Sequence, residues 1–168
     1  DEKYEELQRN GYTTLKNVFS KEECEIAKKK INTIYKKQIK EIGDENYLIS
    51  INDQDVVRAL LVYDDFFLKF INNKSIKQIL EISLGKKYIL NLQNSPINKA
   101  HKSHYGSTWH RDLSYQHFVP SRPIAISVLT CLDAFTEENG GTHVLPFSHK
   151  FEEFSSKKYH EKNTKKIT

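Results

Sequence analysis

The periodicity of the sequence changes at Gly85, and that change constrains the fold more than any other feature. Before it, apolar residues recur at helical intervals. Ser20 and Glu23 have the spacing of a capping box, and Cys24, Ala27, Ile31, Ile34, Tyr35 and Ile39 then mark one face until Gly43 supplies a stop. A short helix is expected over 2–9, halted at Asn10-Gly11, with a strand over 12–19. Further helices are expected over 55–61, 64–71 and 75–84, the last opened by Ser75 with Gln78 three residues on. After Gly85 the segments 88–95, 108–112, 124–134 and 142–146 are short runs of β-formers separated by Pro, Gly, Asn and Ser. Helices first and strands afterwards predict an α+β architecture in which helices buttress a sheet or barrel. No internal repeat and no Gly-rich phosphate loop interrupts the pattern. From Glu152 onward the chain is polar and aperiodic and is expected to be a loop.

Composition narrows the class. At 168 residues one domain is expected, and 9 Phe and 9 Tyr within 38% hydrophobic residues supply a core and exclude disorder over the whole length. No apolar run approaches the roughly 18 residues that span a bilayer, and the start Asp1-Glu2-Lys3 is not a signal peptide. Cys24 and Cys131 are too few and too far apart for a disulfide framework, so a soluble, cytoplasmic protein without a membrane role is expected. The net charge of +4 is uneven: residues 21–42 carry seven Lys and four Glu, and residues 150–168 carry six Lys and three Glu. Those lysines fall on several sides of a helix that also bears glutamates, which argues for a solvated face and against a nucleic-acid partner.

The chemistry is concentrated in Thr108-Trp109-His110-Arg111-Asp112. In a strand, His110 and Asp112 share a face. An imidazole nitrogen and a carboxylate oxygen so placed take adjacent positions on one metal, and two His with one carboxylate make the facial triad of non-haem Fe(II) oxygenases. A hydrogen-bonded structural His and Asp is the alternative, because a three-residue coincidence is common.

About thirty residues downstream comes Glu138-Asn139-Gly140-Gly141-Thr142-His143-Val144-Leu145-Pro146-Phe147-Ser148-His149-Lys150, preceded by the apolar run Ala125 to Asp133. With these two motifs in order, the sequence resembles the phytanoyl-CoA dioxygenase family of Fe(II)- and 2-oxoglutarate-dependent oxygenases, from Asn10-Gly11-Tyr12 to Lys150. The resemblance implies a double-stranded β-helix, a jelly-roll (cupin-like) barrel flanked by N-terminal helices. It implies an enzyme that couples oxidative decarboxylation of 2-oxoglutarate, yielding succinate and CO2, to hydroxylation of a small-molecule or carrier-linked substrate by O2. His110 and Asp112 are then catalytic metal ligands. The third ligand, a later His, and the Arg that grips 2-oxoglutarate are expected beyond Thr168, since His149 suits a structural hydrogen bond and His160 sits in a lysine-rich stretch. With Asp112 in the carboxylate position, hydroxylation is expected and not halogenation.

The resemblance also marks Arg58, Asn91, Gln93, Ser95 and Leu129 as co-substrate-lining positions. Each has a structural alternative: a snorkelling Arg, ordinary strand polar residues and an inward core Leu. Tyr115 and His117 follow the metal segment where a substrate would reach them. Two other classes stay open, a non-catalytic barrel that binds without iron and a cupin-type metal enzyme that does not use 2-oxoglutarate. A barrel needs about eight strands, yet about four follow the helical half. One oxygenase domain, incomplete at its C-terminus, is therefore expected: helices to about 85, barrel strands over 86–150 and a polar tail over 151–168. The sequence does not specify the oligomeric state.

Overall fold

The computed structural model describes residues 1–100, 108–113, 118–136, 138–139 and 141–167. They form seven helices and two small two-stranded sheets, an α+β combination. The chain divides into two compact units, one of residues 1–18, 73–88 and 112–168, the other of residues 19–72 and 89–111.

The unit of residues 19–72 and 89–111 is organised by α2 (Lys21–Ile42). Ser20 accepts from the Glu23 N–H while the Glu23 carboxylate accepts from the Ser20 N–H, and Gly43 turns left-handed (φ 94°) to close the helix. Its stripe buries Ala27, Ile31, Ile34, Tyr35 and Gln38. The expected helix over 55–61 is instead β1 (Val56–Val57) followed by α4 (Leu60–Tyr63). Two β-branched residues favour the ladder over the helix, and Ala59 is left-handed (φ 49°), which breaks any helix through it. β1 pairs antiparallel with β2 (Ser95–Pro96), setting Val56 against Pro96 and Val57 against Ser95. The α3 helix (Glu45–Ser50), capped by Asp44, had no counterpart in the sequence reading. The expected helix over 64–71 is a 3-10 turn (Asp65–Phe67) running into α5 (Leu68–Ile71). Phe66, Phe67 and Phe70 pack ring on ring there, with Phe19 4.4 Å from Phe70 between centroids. Val57, Leu60 and Phe67 complete this core with Leu48 of α3.

In the other unit, α1 (Glu2–Asn10) is capped by Asp1 and closed by left-handed Gly11 (φ 83°). It packs against α6 (Lys74–Leu84), whose cap is Asn73 and not Ser75, since the Asn73 carboxamide accepts from the N–H groups of Ser75 and Ile76. Ile76, Ile79 and Leu145 are buried. The residues from 152 on are not simply a loop. Ser156 caps α7 (Lys157–Asn163), and β4 (Lys165–Lys166) pairs antiparallel with β3 (His143–Val144).

The strands expected over 12–19, 108–112 and 124–134 form no ladder among the described residues, and of the one expected over 88–95 only Ser95 is in a ladder. Strand formation depends on a paired neighbour more than on local propensity. Here the apolar residues stand outward, Ile89 at 86% exposure, Leu92 at 64% and Leu129 at 60%.

Candidate functional site

The two residues expected as metal ligands fall in different units: His110 belongs to the one that includes Arg111, and Asp112 opens the last segment of the other. Both side chains are exposed. The His110 Nδ1 lies 2.8 Å from the Thr108 carbonyl oxygen. A carbonyl only accepts, so Nδ1 holds a proton, and the neutral ring then has its lone pair on Nε2, the form in which imidazole binds a metal. An imidazole nitrogen and a carboxylate oxygen are the donor types Fe(II) takes, so these two residues fit as part of an iron site. The described residues contain no group of three His, Cys, Asp or Glu side chains placed to hold a metal ion.

Arg58 is far in sequence from Gln93 and Ser95, and the β1–β2 pair brings them to one corner. Val57 faces Ser95 across the ladder, and the Leu60 N–H donates to the Gln93 carbonyl at 3.4 Å. The Arg58 guanidinium is half exposed and forks onto Asp53, with Nε donating to Oδ2 at 3.2 Å and Nη2 bonded to Oδ1. Asn94, turned so that both ends of its amide are satisfied, accepts from Arg58 Nη1 at 2.8 Å and donates to the Gln93 carbonyl at 3.1 Å. Gln93 Nε2 donates to the Phe67 carbonyl at 3.3 Å, while its buried Oε1 has no partner among the described residues. An unpaired buried acceptor costs about 1–3 kcal/mol, so this corner is primed for a donor. Asn91 is exposed outside any ladder, and Leu129 lies in the other unit, mostly exposed. Tyr115 and His117 lie outside the described residues.

The sequence reading missed Asp53, Asn94 and Gln38. Only Gln38 left a signal there, as a polar residue on the buried stripe of α2.

The second motif organises structure around itself. Asn139 closes a turn, accepting from the Thr136 N–H at 2.8 Å and donating to the Ala134 carbonyl at 2.6 Å. At Gly141 a Cβ would sit 2.6 Å from the Ile167 carbonyl oxygen, so glycine admits β4 alongside β3. The Phe147 N–H donates to the Asn10 carbonyl at 2.8 Å, and His149 Nε2 donates to the Gln8 carbonyl at 3.1 Å. Both carbonyls belong to the last turn of α1, which has no acceptors' partners of its own. Packing against Gly11 strips water from the His149 ring and lowers its pKa, with Lys150 adding to the effect and the Gln8 carbonyl opposing it.

The profile of the family described as phytanoyl-CoA dioxygenase (PhyH) matches residues 7–167, nearly the whole chain. The chain belongs to that family. Similar proteins include an uncharacterized protein of Mycobacterium bovis and another of Mycobacterium tuberculosis. Each is 23% identical over 144 residues, covering 83% of this chain and 52% of the relative. The chain thus spans about half the length of the curated relatives it matches. No solved structure matches. In this phytanoyl-CoA dioxygenase family member the second motif holds α1 and β3, with β4 paired to β3. No described helix of this family member is long and apolar enough to cross a membrane.

Proposed function

We propose that the protein is an Fe(II)- and 2-oxoglutarate-dependent hydroxylase, cytoplasmic, acting on a small-molecule or carrier-linked substrate. The observation that carries this reading is His110, held with Nε2 as the lone-pair nitrogen two residues from an exposed Asp112, in a chain of this family. The fold of the whole protein is then a double-stranded β-helix with the N-terminal helices packed on it. His110 and Asp112 hold the iron, with a further histidine as the third donor. When bound, iron and 2-oxoglutarate supply the oxidation: 2-oxoglutarate, O2 and a C–H bond become succinate, CO2 and a C–OH bond.

The chain's own residues orient and enclose. The Thr108 carbonyl keeps His110 in its donor tautomer. Arg58, Gln93 and Ser95, brought together at the β1–β2 corner, receive the co-substrate, the guanidinium facing one of its carboxylates. From the sequence resemblance alone, Leu129 is proposed as a co-substrate residue and Tyr115 and His117 as substrate residues. The Asp53 fork favours a second role for Arg58, a structural ion pair. The test is turnover by the iron-loaded full-length protein, which is expected to convert 2-oxoglutarate slowly to succinate without a prime substrate. Asp112→Ala and His110→Ala are expected to abolish this, and equal turnover by either variant would sink the ligand assignment.

A further inference from the structure

Two polar side chains are buried among the described residues, Gln38 at 8% exposure and Asp55 at 7%. Asp55 is accounted for by its ion pair with Lys99 and its bonds with the Tyr35 hydroxyl. Gln38 is different, because both ends of its amide bond the backbone of one residue, with the Tyr63 hydroxyl as a further partner. Its Nε2 donates to the Arg58 carbonyl at 2.6 Å, and its Oε1 accepts from the Arg58 N–H at 3.1 Å.

Packing alone asks for Leu or Met at this position of the α2 stripe. A buried amide is tolerable only when its polar atoms are bonded, and here they are bonded to the backbone of Arg58. The β1 ladder stops at Val57, opposite Ser95. One residue further, Gln38 offers the donor and acceptor that a neighbouring strand would offer. Tyr35, one helical turn earlier on the same face, accepts from the Asp55 N–H at 3.0 Å. The segment they pin is contorted: Asn52, Asp55 and Ala59 are all left-handed, with φ of 55°, 62° and 49°. Non-glycine residues hold that conformation only where their surroundings enforce it. Val57 is fully buried on one side of Arg58 and Ala59 turns the chain away on the other. The Arg58 backbone therefore has little freedom, and its guanidinium starts from a fixed point before Asp53 and Asn94 aim it.

We propose that Gln38 is a positioning residue: its two bonds to the Arg58 backbone set where the guanidinium meets an anionic ligand. The inference rests on the reading of Arg58 as a contact for the 2-oxoglutarate carboxylate. The experiment measures the dissociation constant of 2-oxoglutarate by titration calorimetry, on full-length protein loaded with Mn(II) as a redox-inert stand-in for iron, alongside thermal unfolding. Arg58→Met is expected to weaken binding by about tenfold or more, and Gln38→Met to weaken it by about tenfold at a temperature where it remains folded, because small displacements of a binding group are costly. In iron-dependent turnover the KM for 2-oxoglutarate rises while kcat at saturation holds. Gln38→Glu keeps the volume and the acceptor but faces a carboxylate toward the Arg58 carbonyl, and it serves as the second variant, with weakened binding again expected. If Arg58→Met weakens binding and the folded Gln38 variants bind like wild type, the positioning role is overturned and Arg58 keeps its own. If Arg58→Met also leaves binding unchanged, both fall together.

Discussion

Replacing Gly11 by Ala tests the attachment of the second motif to α1. The perturbation has two parts. Gly11 sits at φ 83°, where a residue with a Cβ costs about 1 kcal/mol. The new Cβ would also press on the His149 ring, meeting Nδ1 well inside van der Waals contact and lying 2.9 Å from Cγ. The ring must retreat, and the 3.1 Å bond from Nε2 to the Gln8 carbonyl goes with it, a further loss of about 1 kcal/mol. The expected destabilisation is about 2 kcal/mol. His149→Ala alone removes the bond and is expected to cost about 1 kcal/mol. In the His149→Ala background, however, Gly11→Ala has no ring to displace and costs only the backbone part. The double-mutant cycle should therefore show a coupling of about 1 kcal/mol, measured from urea midpoints at constant m value. Strictly additive effects, to within a few tenths of a kcal/mol, would refute the contact, and with it the claim that the Ser148-His149-Lys150 segment closes α1.

Two further outcomes follow from the same unit and its neighbour. Gly141→Ala places a Cβ 2.6 Å from the Ile167 carbonyl oxygen, a backbone atom that cannot move aside without opening the β3–β4 pair. The Ile167 amide, which donates to the Thr142 carbonyl at 2.8 Å, is then expected to lose its protection from hydrogen exchange, and retained protection would contradict the pairing. Stability is also expected to fall with acid in two stages. The His149 pKa is lowered in the fold, so its contribution is complete above the ordinary imidazole value and is lost as pH falls through the lower folded value. Glu6, held down by its bonds to Lys3 and then Thr13, and Asp64, held down by Lys30 and then by the Phe66 N–H, lose theirs lower, as pH drops below the usual carboxylate range. Urea unfolding across pH reads both stages, and His149→Ala should erase only the upper one.

What was legible in the sequence divides by the range of the interaction involved. The capping box at Ser20 and Glu23, and the stops at Gly11 and Gly43, are built from residues within one helical turn of each other, and each is found where the spacing puts it. The Ser75 cap fails by two residues because Asn73 offers a better-placed acceptor, a competition between neighbours that spacing alone does not rank. Strands fared worse for a different reason. Val56 and Val57 lie in a ladder although they read as helix, while Val128 and Leu129 read as strand and stand half exposed without a ladder among the described residues. In both cases the deciding term is a partner distant in sequence, which no local pattern contains.

The candidate site shows the same division with a sharper consequence. His110 and Asp112 could be proposed from the sequence because metal chemistry needs particular atoms at a particular spacing, and the Thr108 carbonyl bonded to His110 is itself only two residues away. The environment of Arg58 was not legible. Asp53 is close in sequence but carries no pattern, and Gln38 and Asn94 reach Arg58 from α2 and from the residue before β2. Meanwhile the Asn139 to Lys150 stretch, which did much to reveal the family, has its side chains occupied with a turn, an approach of two strands and the end of α1. Such residues are specific because backbone geometry tolerates few substitutes: an amide that closes a turn, a glycine under a carbonyl, an imidazole over a glycine. In this chain the second motif therefore constrains the scaffold, whereas the Arg58 corner draws its partners from separate elements, which can change one at a time.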